Sequence, residues 1–300
     1  MTRHNMELDD TNLIFDESLP ALLLKEDVRA MIDNLVEAGE AGLSAVRGLV
    51  QSYYDAQHYR LEACGRLRAI KDICAKENIT VPIWRLPEWF ASQAFGPERQ
   101  YAAVLDQYTL REKTGMGAWA RETVGVGPII SAGLLALIDM KVATTPSKVW
   151  RFFGLDPTTV WKAGKKRPWN ATGKVLCWKL GDSFMKLHNN PRCYYGKLYE
   201  QRKQLEQERD EQGLNADTAK RTLETRTFKK KEVRDVYLSG HLPKGRIEQR
   251  ARRWAVKIYL VHWWQEAYRR KFGKEPVNPY VIDKLGHRTL IVPPDSSRES

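Results

Sequence analysis

Across residues 42–76, Leu43, Val46, Val50, Tyr53, Tyr54, Leu61, Cys64, Leu67, Ile70 and Cys74 recur at spacings dominated by three and four. That period places apolar side chains on one stripe of an α-helix, and a helix of that length spans roughly 50 Å. The same spacing returns in 174–188, through Val175, Leu176, Trp178, Leu180, Phe184 and Leu187, and in 245–272, through Ile247, Ala251, Trp254, Ala255, Ile258, Val261 and Ala267. No segment shows the two-residue alternation of a half-buried strand. The expected fold class is therefore all-α: a multi-helix domain containing a helix-hairpin-helix, with long amphipathic and charged helices.

Shorter signals punctuate the pattern. Val81-Pro82 and Leu86-Pro87 predict a break packed down by Trp84 and Trp89, and a further helix covers 98–112. Thr145-Pro146-Ser147 reads as a capped helix start with proline at the first position, and Gly154 ends that helix before Pro157. The expected organisation is an acidic, flexible arm over 1–40 and a helical region over 41–117. A helix-hairpin-helix domain follows over 118–200, then a charged, solvent-exposed helical hairpin inserted at 201–243. A basic helix over 244–290 completes the domain, and 291–300 form a tail.

The segment with most bearing on function is Trp119 to Asp139, WARETVGVGPIISAGLLALID. Val124-Gly125-Val126-Gly127-Pro128 joins two small-residue helices. The glycines permit φ > 0 and leave no Cβ between backbone and ligand. The following helix begins with free N–H groups and the positive end of its dipole, which suits a phosphate oxygen. Gly125, Val126, Gly127 and Ile129 are the candidate contacts. A plain tight turn between core helices is the competing explanation.

Charge favours the phosphate reading. Lys and Arg number 49 against 37 Asp and Glu, for a net +12 and a pI of about 9.5. Residues 1–40 carry ten acids against three bases, so the remainder holds all of the excess. A basic body with an acidic arm points to a polyanion partner, DNA first and RNA second. In 141–197 twelve basic residues, among them Lys141, Lys162, Lys165, Lys166, Arg167 and Lys174, face only Asp156 and Asp182. Trp161 and Trp169 flank the glycine- and proline-rich basic loop, where unpaired bases could stack.

Other chemistry is sparse. Gly173-Lys174 ends like a phosphate-binding P-loop, but Pro168 stands where its first glycine belongs and Val175 replaces the magnesium-binding hydroxyl. Cys64, Cys74, Cys177 and Cys193 lack metal-site spacing and read as reduced, buried thiols. No metal, cofactor or small-molecule substrate is expected. No apolar run is long enough to span a bilayer, and the acidic start lacks a signal-peptide pattern, so a cytoplasmic location without a membrane partner is expected.

The order GVGPIISAGLLALID, TPSKVWRFFGLDP and HNNPRCYYGKLYEQ resembles the C-terminal transposase domain of the bridge-RNA-guided insertion-sequence transposases. The likeness runs from Trp119 to about Gln204 and returns in RIEQRARRWAVKIYL, residues 246–260. Two departures stand out. The family begins with a RuvC-like nuclease half, and here an acidic arm and a long helix take its place. Its nucleophilic serine lies in a Ser-Gly turn after a Gly-Leu-x-Pro segment, whereas Gly154-Leu155-Asp156-Pro157 is followed by Ala163-Gly164. Alanine offers no nucleophile. Thr158, Thr159 and Ser183 are the nearby hydroxyls and the only catalytic candidates. The resemblance implies a non-cleaving relative, of mobile-element or phage type, that keeps nucleic-acid binding. An active recombinase in DNA transposition and a helical homo-oligomeric scaffold are the alternatives.

Overall fold

The computed structural model describes residues 26–162, 164–276 and 291–294. Among these residues every regular element is helical, as the apolar period predicts. The chain divides into two compact units between Lys113 and Thr114.

The first unit holds α1 (Glu26–Glu37), α2 (Glu40–Lys76), α3 (Arg85–Gln93) and α4 (Phe95–Arg111). The long helix α2 is the one its stripe predicts, begun two residues earlier. It buries Val46, Val50 and Cys74, while Leu61 faces solvent. Arg60 and Glu98, both largely buried, tie α2 to α4 at 2.5 Å. The expected flexible arm is corrected over residues 26–40. α1 packs against α2 and α4, buries Ile32, and pairs Asp33 with Arg111 and Glu37 with Lys113. Its amphipathic spacing, one buried isoleucine beneath a charged face, outweighs its acidity. Residues 1–25 lie outside the described residues. Pro87 is also corrected, because it stands third in α3, where its absent N–H would have no intrahelical partner. Trp89 is exposed and does not pack the break down.

The second unit holds α5 (Met116–Glu122), α6 (Pro128–Leu137), α7 (Pro146–Phe152), α8 (Ala171–Lys186), α9 (Tyr194–Glu211), α10 (Ala216–Thr225), α11 (Lys231–Leu238) and α12 (Lys244–Phe272). α12 is its axis, packing against α5, α7, α8 and α9. Ala251 and Ala255 let neighbours approach, while Tyr259, Leu260, Trp263 and Trp264 fill the space between. Each fully buried apolar side chain of that size contributes about 1.5–3 kcal/mol. Tyr195 and Phe184 meet Tyr259 with ring centroids 5.1 and 5.8 Å apart. The indole N–H of Trp264 donates to Ala143 O, and that of Trp150 to Lys257 O. No described helix is long and apolar enough to cross a membrane. Cys74, Cys177 and Cys193 are buried free thiols, and Cys64 is partly buried.

The segment expected as a solvated insertion is corrected too. Glu206 and Asp210 of α9 are buried. Glu206 pairs with Arg202 one turn earlier and with Arg250 of α12 at 3.0 Å. Asp210 accepts from Asn215 Nδ2 at 2.9 Å and from the Leu242 amide at 3.0 Å. Ala219, Tyr237, Leu242 and Ile247 form a small core of their own beneath Leu223, Phe228 and Val233. The expected tail is likewise held where it is described. His262 Nε2 lies 2.8 Å from Ile291 O, and Tyr194 donates its hydroxyl to Val292 O.

Candidate nucleic-acid interface

The hairpin candidate is the turn from Thr123 to Gly127 between α5 and α6. Gly125 has φ +100°, outside the range of ordinary L-residues, and a Cβ there would stand 3.0 Å from Phe184 Cδ1. Ser183 Oγ donates to Gly125 O at 2.8 Å, and the Cys193 thiol to Val124 O at 3.4 Å. Helices α8 and α9 thus hold the turn from beneath. Val126 and Ile129 are buried, so their side chains anchor the turn and only their backbone could meet a ligand. Gly127 corrects the expectation of two φ > 0 glycines. Its φ of −82° and ψ of 176° suit any residue, and nothing lies within 4 Å of an added Cβ. What it supplies is open space before a helix with no side-chain cap, begun by Pro128. Lys141, exposed in the turn after α6, donates its amide to Asp139 Oδ1.

The basic loop is anchored at both ends. Gly154 ends α7 at φ +66°, and Trp169 packs so closely on it that a Cβ would come within 2.8 Å of the indole. Asn170 donates its amide to Phe152 O and caps α8 by accepting from the Gly173 amide. Between these anchors Lys162, Lys165, Lys166 and Arg167 are exposed. Trp161 closes the loop on itself, donating its indole N–H to Lys165 O at 2.7 Å, with its ring 6.1 Å from Trp169. The Lys174 ammonium sits 4.0 Å over the Trp169 ring, and Arg167 lies over Trp161 at 5.9 Å. The loop and the hairpin turn therefore stand near opposite ends of α8. Asn170 and Ser183 are about 20 Å apart along its axis.

Lys174 also opens a second feature that the sequence reading missed. A cleft of about 260 Å³ runs between α8 and α12, lined by Lys174, Trp178 and Gly181 on one side and Gln249, Arg253 and Val256 on the other. Helical spacing predicts Trp178 and Val175 as packed positions, but both are exposed, Trp178 to 59%. Burial lowers the Lys174 pKa, and the charges of Arg253 and Arg167 lower it further. Arg253 is shifted the same way, by burial of its stem and then by Arg246 and Arg250. Among the described residues no carboxylate lies within 4.0 Å of Lys174, Arg167 or Arg253. The i, i+4 rows on both helices were visible in the sequence; that they face each other was not.

The catalytic candidates are not brought together. Ser183 spends its hydroxyl on the hairpin turn. Thr158 donates both amide and hydroxyl to Asp156 Oδ1, and these bonds hold the Asp156 pKa down. Thr159 turns its hydroxyl into the protein. Ala163 lies outside the described residues. No family model, curated protein or solved structure matches the chain.

Proposed function

We propose that the second unit grips nucleic acid, DNA in the first instance, by its phosphate backbone, without cutting it. The observation that carries this reading is the loop of exposed cations at 162–167. It is braced on two tryptophans, and among the described residues no carboxylate is paired to Arg167 or Lys174. Cations left unpaired repel one another and gain by meeting an external polyanion. The open approach to Gly127 and the uncapped start of α6 add a second phosphate position at the far end of α8. The resemblance of this stretch to transposase domains supports the same partner, and Ala163 and the engaged Ser183 argue against strand transfer.

Changing Lys165, Lys166 and Arg167 together to Gln tests the loop. Three fewer phosphate contacts should flatten the log–log salt slope of duplex binding by about 3. These side chains are exposed, so the melting temperature should hold. An unchanged slope removes the loop from the interface.

A scaffold reading draws support from the first unit. Val81, Ile83, Leu86, Trp89 and Phe90 are all exposed within one short stretch, an apolar surface that a second copy of the chain could cover. Light scattering with and without DNA separates the two readings.

A further inference from the structure

We propose that the cleft between α8 and α12 holds one unpaired nucleotide of the bound strand, its base stacked on Trp178 and its phosphate met by Lys174 and Arg253. The proposal rests on the nucleic-acid reading above and specifies what that partner must contain.

Each part of the cleft points to such a guest. Trp178 leaves most of a large flat ring in water, a cost that a stacked base recovers. Leu155 and Val256 give an apolar wall. At Gly181 an added Cβ would lie 3.1 Å from Val256 Cγ2 and 3.4 Å from Arg252 Cβ, so the bare backbone is what lets α12 close on α8 there. At about 260 Å³ the space is smaller than the roughly 300–1,000 Å³ of a drug-sized pocket and suits one base with its sugar.

The polar rim is selective. Arg252 is held by Asp182 and Glu248 and forms part of the wall. Among the described residues Arg253 gives only its Nε–H, to Gln249 O at 3.2 Å. With Lys174 it supplies positive charge at the mouth, and the exposed Gln249 amide offers both a donor and an acceptor to a base edge. A base inside a duplex has both faces stacked and its pairing edge occupied, so only an unpaired residue enters. Lys174 also covers Trp169, which makes the cleft continuous with the basic loop.

The test uses the full chain with three probes: a blunt duplex, the same duplex with a short single-stranded extension carrying 2-aminopurine, and adenosine monophosphate. The extension should raise affinity about ten-fold over the blunt duplex, the scale of one base–aromatic stack. Binding should also quench the 2-aminopurine. Trp178→Ala should abolish both effects and leave blunt-duplex affinity and melting temperature unchanged, while Trp178→Phe should keep them. Equal affinity for blunt and extended duplexes, or an extension effect that survives Trp178→Ala, overturns the cleft proposal while the duplex reading stands. Mononucleotide binding as tight as the extended duplex overturns it in favour of a free-nucleotide site. Binding of none of the probes at low salt overturns the underlying nucleic-acid reading instead.

Discussion

Gly125 and Gly127 look equivalent in the sequence and differ in the structure, and that difference can be measured. Gly125 adopts a φ closed to branched residues and is backed by Phe184, so Gly125→Val should cost about 2 kcal/mol of stability. Gly127 has an ordinary φ and empty space around it, so Gly127→Val should melt within a degree or two of the parent. Its branched side chain would stand in the phosphate approach, and duplex affinity should fall several-fold. Normal binding by Gly127→Val would leave the turn a purely structural one. A second residue-scale prediction concerns His262, 2% exposed and 2.8 Å from both Tyr195 Oη and Ile291 O. A carbonyl only accepts, so Nε2 carries the proton and Nδ1 accepts from Tyr195. Burial pushes the His262 pKa down from 6.5 to about 4. The imidazole is neutral in both states above the unfolded value. As pH falls below 6.5 the unfolded chain takes up the proton first, and stability drops until the folded pKa is reached. Between pH 7 and 5 this removes roughly 2 kcal/mol. Urea midpoints should show that loss in the parent and much less of it in His262→Gln; parallel curves would contradict the assignment.

Among the elements, α2 and α12 were legible because their apolar positions keep helical phase over 37 and 29 residues. The capped start of α7 was also legible: Thr145 accepts from the Lys148 amide ahead of Pro146, and Gly154 ends the helix left-handed. What composition obscured was burial of charge. Glu206 and Asp210 sit in a run that reads as solvated, yet Arg250 of α12 pairs with Glu206, and the Asn215 side-chain amide and the Leu242 backbone amide donate to Asp210. Arg250 lies 44 residues from Glu206 and Leu242 lies 32 from Asp210, so neither leaves a local signal. Glu206→Ala should therefore cost about 3 kcal/mol, toward the low end for a broken buried pair because both arginines keep some solvent. Glu208→Ala, two positions on and exposed, should change stability by no more than about 0.5 kcal/mol. Equal denaturant midpoints for the two variants would return α9 to a solvated helix. The cleft hid in the same way, since Trp178 at helical spacing looks like core until α12 is in place.

At the scale of the whole chain, the +12 charge is unevenly spent. In the first unit Asp33 and Glu37 of α1 meet Arg111 and Lys113, so that part of the acidic start is neutralised locally. In the second unit Lys162, Lys165, Lys166, Arg167, Lys174 and Arg253 lie on an exposed loop and the mouth of a cleft, with no carboxylate paired to them among the described residues. A surface so arranged should bind by displacing counterions, and the salt dependence of duplex binding by the full chain reads that directly. If about six phosphates are neutralised, the log of the association constant should fall with the log of salt at a slope of about −5. An affinity indifferent to salt, or no binding at low salt, would contradict the account.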